Sequence, residues 1–208
     1  MGGEHGWSQI SSTSGITTGP GKYGQISLEL ATASRTVSHD TEMLFSFEGD
    51  TFQDDAGRFQ VVSSNVRVVE DAAMGKQSGL SVGNGSGFSV TGVPGSIFST
   101  LNWTGSFSIE FWLCPAVVDN GETILSWRSS RNVDGYPLYQ ILEATFVKNH
   151  LQWNCTNLFT GYVENNGEIT LSGTKSVIPN KWSHHILSYD SETGLLEYRV
   201  NGLVEDLK

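Results

Sequence analysis

The sequence predicts an all-β protein, most simply a two-sheet antiparallel β-sandwich. Short segments that alternate apolar and polar residues recur along the chain, and Gly, Asn, Asp and Pro separate nearly all of them. No long segment has a convincing 3.6-residue periodicity. The chain contains 24 glycines and only 16% charged residues, a composition typical of strands joined by many turns. Its 208 residues are enough for one sizeable core.

The predicted elements begin with a polar leader and continue as a series of strands. Residues 1–22 are rich in Gly, Ser and Thr, and we interpret them as a flexible leader before a sandwich over residues 23–208. Each later segment combines β-branched or aromatic residues with flanking turn residues, as strands joined by tight turns require. The predicted strands span residues 25–32, 42–48, 59–70, 79–92, 107–115, 121–129, 137–149, 151–161, 168–174, 181–190 and 194–202.

The segment FSIEFWLCP (107–115) shows the alternation most clearly. Its odd-numbered positions from 107 to 113 are apolar, whereas the opposite row carries Glu110, Trp112 and Cys114. We therefore expect the odd row to face the core. A carboxylate beside a tryptophan on an open sheet face could be a glycosidase acid, a ligand contact or a tolerated polar residue.

The order of the later segments resembles the laminin G-like branch of the concanavalin A-like jelly rolls. FSIEFWLCP is followed by ETILSW, LQWNC and NKWSHHILSYDSETGLLEYRVNG, and upstream FSFEGDTFQDDAGRF resembles the family's opening strand and turn. The resemblance covers roughly residues 41–202 and implies a jelly-roll sandwich. Family members continue beyond the VNG turn, so it also implies that a sandwich ending at Lys208 lacks its last strand or strands. Alternatively, the leader and residues 25–32 take over that pairing. If neither holds, an unpaired edge remains that would invite strand addition from a partner.

The sequence contains no recognisable catalytic constellation. Related glucanases place Glu-x-Asp-x-x-Glu on one strand, with the two carboxylates about 5–5.5 Å apart. Here Glu110 is followed by Trp112 at i+2 and by Pro115 at i+5. His184 and His185 are adjacent on a predicted strand, so their rings face opposite sides and cannot share a metal. We therefore predict that the protein is not an enzyme, with a glycosidase as the least favoured alternative.

The segment SWRSSRNVDGYPLYQ (126–140) supplies the candidate ligand surface, interpreted as a long polar loop with aromatic residues around it. Aromatic rings stack on sugars and Arg or Asn side chains bond hydroxyls or carboxylates, while the same residue types form protein-binding hot spots. Alternatively, these aromatic side chains fill the core and cap loops. The predicted ligand-binding residues, with two asparagines from the next predicted strand, are Trp127, Arg128, Arg131, Tyr136, Tyr139, Asn154 and Asn157.

Calcium is the one cofactor that the resemblance brings into consideration. Many relatives hold a structural Ca²⁺ at the sandwich rim, with turn carboxylates and backbone carbonyls as the hard oxygen ligands. The candidate ligands here are Asp50, Asp54, Asp55 and Asp119. Alternatively, these aspartates only stabilise their turns.

Charge and hydropathy exclude two classes of partner. The formal net charge of −10 argues against binding to a nucleic-acid backbone or to anionic lipid. No apolar run reaches the roughly 18 residues that a membrane-spanning helix needs, so no membrane insertion is expected. Cys114 and Cys155 either form one disulfide or remain two thiols.

Together these observations predict a lectin-like recognition module that binds a glycan or a protein. As laminin G-like domains generally are, it would be secreted, at the cell surface or periplasmic. The alternative is a structural subunit of an extracellular or periplasmic assembly, such as a sheath, a filament coat or an adhesin.

Overall fold

The computed structural model describes residues 37–49, 52–82, 86–92, 105–159, 162 and 164–208, without the side chains of Ser64 and Arg131. The chain comprises two compact units, Met1–Thr91 and Gly92–Lys208. The leader expected over residues 1–22 and the strand expected over 25–32 lie outside the described residues. The predicted boundary between leader and sandwich therefore stays a prediction.

The described part of the first unit contains two small antiparallel sheets. Its strands are β1 (Val61–Ser64), β2 (Val66–Val69), β3 (Ser78–Ser81) and β4 (Gly87–Val90). β1 pairs with β4, and β2 pairs with β3. Asn65 has a φ of 53°, and a residue in this left-handed region interrupts the extended backbone. The strand predicted over residues 59–70 is therefore two strands with different partners.

Residues 42–48, which were predicted to form a strand, have no regular secondary structure. The backbone N–H of Leu44 donates to Asp54 Oδ1 at 2.9 Å, so a side chain takes the place of a partner strand. Phe47 has a φ of 61°, outside the β region. The sequence pattern did indicate burial, since Leu44 is 1% exposed. The predicted strand conformation was wrong.

The second unit is an antiparallel β-sandwich. Its strands are β5 (Phe107–Leu113), β6 (Thr123–Val133), β7 (Tyr136–Val147), β8 (His150–Thr156), β9 (Glu168–Ser172), β10 (Ser183–Asp190), β11 (Leu195–Val200) and β12 (Leu203–Leu207). Sheet I has the strand order β12-β11-β10-β5, and sheet II has the order β6-β7-β8-β9. The predicted all-β, sandwich-like fold class is thus confirmed.

Tight turns connect neighbouring strands of this sandwich. The turns β6–β7, β7–β8 and β11–β12 are Asp134-Gly135, Lys148-Asn149 and Asn201-Gly202, and all six residues have positive φ. Two-residue turns with both φ values positive match the right-handed twist of paired strands, and Asn and Gly adopt them at least cost. These turns fix the register of each hairpin.

Side chains from both sheets form one core cluster. Trp153 of β8 is fully buried, and its ring centroid lies 6.1 Å from that of Phe111 and 6.3 Å from that of Tyr198. The apolar row of β5, from Phe107 to Leu113, packs against this cluster, as its alternation predicted. Cys114 and Cys155 are both free thiols, and burial raises the pKa of Cys155 to about 12.

His185 is a polar residue within the core. Its Nδ1 lies 2.8 Å from the Tyr198 hydroxyl, and its Nε2 lies 2.8 Å from Ser183 Oγ. Burial, with a smaller contribution from the neighbouring His184, lowers the pKa of His185 to about 4. The imidazole is therefore neutral at physiological pH and hydrogen-bonded on both nitrogens.

Glu205 of β12 holds the connection between β9 and β10. Its Oε2 accepts the backbone N–H of Thr174 at 2.7 Å and that of Lys175 at 2.9 Å, together with the Thr174 hydroxyl. Burial alone would raise the pKa of Glu205, but these hydrogen bonds and the Lys175 charge outweigh it and lower the pKa. The segment LVEDL is thus an anchored strand at one edge of sheet I. That further strands follow it stays a prediction.

Candidate functional site: a polar sheet face and a tyrosine ribbon

Strands β6 and β7 extend beyond the end of β8. Residues 129–133 of β6 pair with residues 136–140 of β7, whereas β8 pairs with β7 only from Ile141 onward. We call these ten residues and their Asp134-Gly135 turn the tyrosine ribbon. The long polar loop expected within residues 126–140 is therefore wrong, because Asp-Gly closes a two-residue hairpin turn and the predicted strands on either side continue up to it.

The tyrosine ribbon exposes apolar surface. Tyr136 is 77% exposed, Tyr139 is 62% exposed, and Val133 beside the turn is 42% exposed. An exposed tyrosine offers a rigid apolar ring and a polar hydroxyl at low entropic cost, which is why binding surfaces use it. Both tyrosines that the sequence singled out are thus accessible to a ligand.

The outward row of sheet II continues from the tyrosine ribbon and is largely polar. Inward residues of β7 and β8 are buried in alternation, which leaves the other set facing away from the core. We call this outward set the polar sheet face. It includes Ser126, Arg128, Ser130, Tyr139, Ile141, Glu143, Thr145, Val147, His150, Gln152, Asn154, Thr156, Glu168, Thr170 and Ser172.

The one cation on the polar sheet face is paired within it. Arg128 Nη2 lies 2.5 Å from Glu143 Oε1, and the same oxygen accepts the Ser126 hydroxyl at 3.0 Å. The hydrogen bond from Arg128 lowers the pKa of Glu143, against the opposing effect of partial burial. Arg128 remains exposed, so its guanidinium is oriented by Glu143 but still open to solvent.

Asn154 lies at the centre of the polar sheet face. Its register partners are Glu143 on β7 and Thr170 on β9. Its Oδ1 accepts hydrogen bonds from Gln152 Nε2 at 2.9 Å and from Thr170 Oγ1 at 3.2 Å. Gln152 Oε1 in turn accepts the Ser172 hydroxyl at 3.4 Å. Hydrogen bonds thus link the side chains of Gln152, Asn154, Thr170 and Ser172 across β8 and β9.

Two of the predicted ligand-binding residues make contacts within the sandwich. Trp127 is 9% exposed and belongs to the core cluster, because the alternation of β6 turns it inward. Asn157 donates from Nδ2 to the Tyr139 carbonyl at 2.9 Å, and its own carbonyl accepts Gln140 Nε2 at 3.1 Å. Asn157 therefore fixes the base of the tyrosine ribbon. The Arg131 side chain lies outside the described residues.

The sequence interpretation missed several residues of this surface. Gln152, Thr170 and Glu143 were not singled out, although HLQWNCT and EITLS carry polar residues at alternate positions. That alternation indicates a solvent-facing row. It does not show that the rows of different strands meet, which only the register of β7, β8 and β9 establishes.

Two of the predicted calcium ligands, Asp54 and Asp55, accept backbone hydrogen bonds. Asp54 is 4% exposed, and its carboxylate accepts four backbone N–H groups, from Leu44, Ala56, Arg58 and Phe59, at 2.9–3.1 Å. Asp55 accepts the N–H of Ser46 at 2.9 Å. Asp50 lies outside the described residues, and within the described ranges no group of three or more His, Cys, Asp or Glu side chains is arranged to hold a metal.

Asp54→Asn is expected to destabilise the protein by about 2 kcal/mol. Hydrogen bonds to a charged group contribute roughly 1.5–3 kcal/mol each. In the asparagine variant, the side-chain NH₂ group would face two backbone N–H groups that now donate to a carboxylate oxygen. Thermal unfolding should show the same loss in EDTA and in Ca²⁺. The matched control, Asp71→Asn at an exposed position, should change little. A loss that occurs only when Ca²⁺ is present would instead make Asp54 a calcium ligand.

Glu110, the carboxylate of FSIEFWLCP, is paired with a histidine. His184 Nε2 lies 2.7 Å from Glu110 Oε1, and the two side chains are 8% and 3% exposed. The Trp112 ring stacks on His184 with centroids 4.7 Å apart. A carboxylate–imidazole pair can move protons, but this one is closed to solvent. His184 and His185 do face opposite sides, as their adjacency predicted.

Comparisons with known proteins bear on the fold. No protein-family model matches the chain, and no curated protein matches it. Among solved structures, the chain is similar to the crystal structure of the botulinum neurotoxin serotype G binding domain, with a TM-score of 0.52 and 18% sequence identity. The match covers 80% of this chain and 39% of that one. The likeness is one of fold.

None of the described helices is long and apolar enough to cross a membrane.

Proposed function

We propose that the protein is a non-catalytic recognition module, laminin G-like in type, that binds its ligand through the polar sheet face and the tyrosine ribbon. The observation that carries this proposal is the continuity of the two features. The exposed Tyr139 stands at one end of a row of oriented hydroxyl and amide groups, and Tyr136 is exposed on the opposite side of the ribbon. Apolar anchors beside a small number of fixed polar groups are the usual composition of a ligand site.

The environments of Glu110 and Glu143 support a non-catalytic role. Glycoside hydrolysis needs two carboxylates that flank the scissile bond, whereas Glu110 is buried and bonded to His184. On the polar sheet face, Glu143 is ion-paired with Arg128. A location outside the cytoplasm and a structural Ca²⁺ at Asp55 or Asp119 belong to the same proposal, and both rest on the laminin G-like resemblance.

The proposal is tested by binding to a glycan array and to surface proteins from the source cells, with and without EDTA. Tyr136→Ala with Tyr139→Ala should weaken binding of the ligand at least tenfold, because truncation of a central aromatic contact costs about 2 kcal/mol or more. Tyr162, half-buried outside the ribbon, provides a matched control as Tyr162→Ala. Binding that survives the double variant unchanged would remove the ribbon from the site.

A second candidate function is a structural subunit of an extracellular or periplasmic assembly. β12 is an edge strand of sheet I, and its Leu203, Val204 and Leu207 are 58%, 47% and 53% exposed. An exposed apolar edge strand is a template for strand addition from another chain. Light scattering at rising concentration tests this candidate: self-association that Val204→Lys abolishes supports it, and a monomer at all concentrations contradicts it.

A further inference from the structure

Resting on the proposed function, we infer that the ligand of the polar sheet face is an uncharged oligosaccharide that crosses strands β7, β8 and β9 with one end against Tyr139. Tyr139 and Glu143 are four residues apart on β7, about 13 Å at roughly 3.3 Å per residue. The row Glu143, Asn154 and Thr170 spans two strand spacings, about 10 Å. A surface of this extent is larger than a single sugar ring.

The hydrogen-bonding groups of this surface match sugar hydroxyls. The rows of β8 and β9 present Gln152, Asn154, Thr170 and Ser172, all neutral groups that both donate and accept. A sugar hydroxyl also donates and accepts, so each contact can be satisfied without burying a charge. The centre of a protein-binding surface, by contrast, is rich in aromatic and aliphatic anchors, which on the β7 row of this face are Tyr139, Ile141 and Val147.

The network within the surface leaves specific donors for the ligand. Asn154 Oδ1 is occupied by Gln152 and Thr170, whereas none of the described residues accepts a hydrogen bond from Asn154 Nδ2. The half-buried amide is held in one rotamer with its N–H groups available. Groups that are ordered before binding lose little entropy on binding. This favours a specific ligand site over an ordinary solvated polar surface.

The charges of the surface disfavour an acidic glycan. Arg128 is the one cationic side chain among the described members of the polar sheet face, and Glu143 already neutralises it. Glu168 adds a negative charge to the edge strand β9, and the whole chain carries −10. A sulfated or uronic acid chain would therefore meet net repulsion, whereas an uncharged chain would not.

The test is a panel of immobilised neutral glycans, built from glucose, galactose or mannose, beside sulfated, sialylated and uronic acid glycans, probed with the full chain. We expect binding to one or more neutral chains that is unchanged when the salt concentration is raised. Asn154→Asp and Thr170→Val should each weaken this binding at least tenfold. The control Glu192→Gln, in the exposed β10–β11 turn, should stay within twofold, and thermal unfolding of every variant verifies the fold.

The alternative outcomes separate this inference from the proposed function. Binding only to acidic glycans, or only to a protein, overturns the neutral-glycan inference but leaves a recognition module. Neutral-glycan binding that is unaffected by Asn154→Asp and Thr170→Val places the site elsewhere and also overturns the inference. If neither a glycan nor a surface protein binds, the proposed function itself fails.

Discussion

Trp153→Ala is expected to lower the free energy of unfolding by about 3–5 kcal/mol, the range for removal of a large aromatic side chain from a core. Trp153 is fully buried at the point where β8 of sheet II faces Phe111 and Tyr198 of sheet I. Its loss leaves a cavity between two rigid sheets, which cannot collapse fully around the smaller side chain.

Urea unfolding followed by fluorescence measures this loss. Tyr136→Ala removes a similar aromatic group from a site that is 77% exposed, so it should change the stability by less than about 0.5 kcal/mol. Equal effects of the two substitutions would contradict the sandwich arrangement, because they would place Trp153 outside the core.

The second large effect is a loss of stability in mild acid that depends on His185. Its pKa is about 4 in the folded protein and 6.5 when exposed, mainly because burial disfavours the charged ring. Between these values the unfolded chain binds a proton that the folded chain does not, so stability is full above pH 6.5 and falls as the pH drops toward 4. The shift corresponds to about 3 kcal/mol at 1.36 kcal/mol per pKa unit.

Unfolding in urea at a series of pH values from 7 to 4 should show this decline, and His185→Gln should flatten it. The carboxylates of Glu143 and Glu205 have lowered pKa values, so their stabilisation is present above the usual carboxyl range and is lost only below it. The window between about pH 5 and 6.5 therefore isolates histidine titration. An unchanged slope in the His185 variant would contradict a neutral histidine in the core.

Local alternation was sufficient to predict most strands of the sandwich. In β7 from Gln140 onward and in β8, every second residue is buried, and Asn-Gly or Asp-Gly pairs mark hairpin turns directly in the sequence. The same reasoning failed for residues 42–48, because the Asp54 carboxylate rather than a neighbouring strand satisfies the Leu44 N–H. An alternating pattern reports which side chains are buried and does not identify the hydrogen-bond partner.

The candidate site could be predicted only in part. Tyr136 and Tyr139 were identified from residue type alone. Trp127 was assigned to the surface, although the alternation of side chains along β6 turns it toward the core. Contacts between distant strands leave no local signal. Glu110 and His184 are 74 positions apart in the sequence. They meet because β5 pairs with β10, and the register of that pairing brings the two side chains together. The row from Glu143 to Thr170 depends on register in the same way.

An NMR titration of the ¹⁵N-labelled chain with the neutral glycan selected by the panel tests the location of the binding site most directly. We predict that the perturbed amides lie in β7, β8 and β9 around Tyr139, Asn154 and Thr170, with the side-chain amide signals of Asn154 and Gln152 shifted. Perturbations confined to the β12 edge or to the surroundings of Glu110 and His184, with β7 to β9 unchanged, would contradict recognition through the polar sheet face.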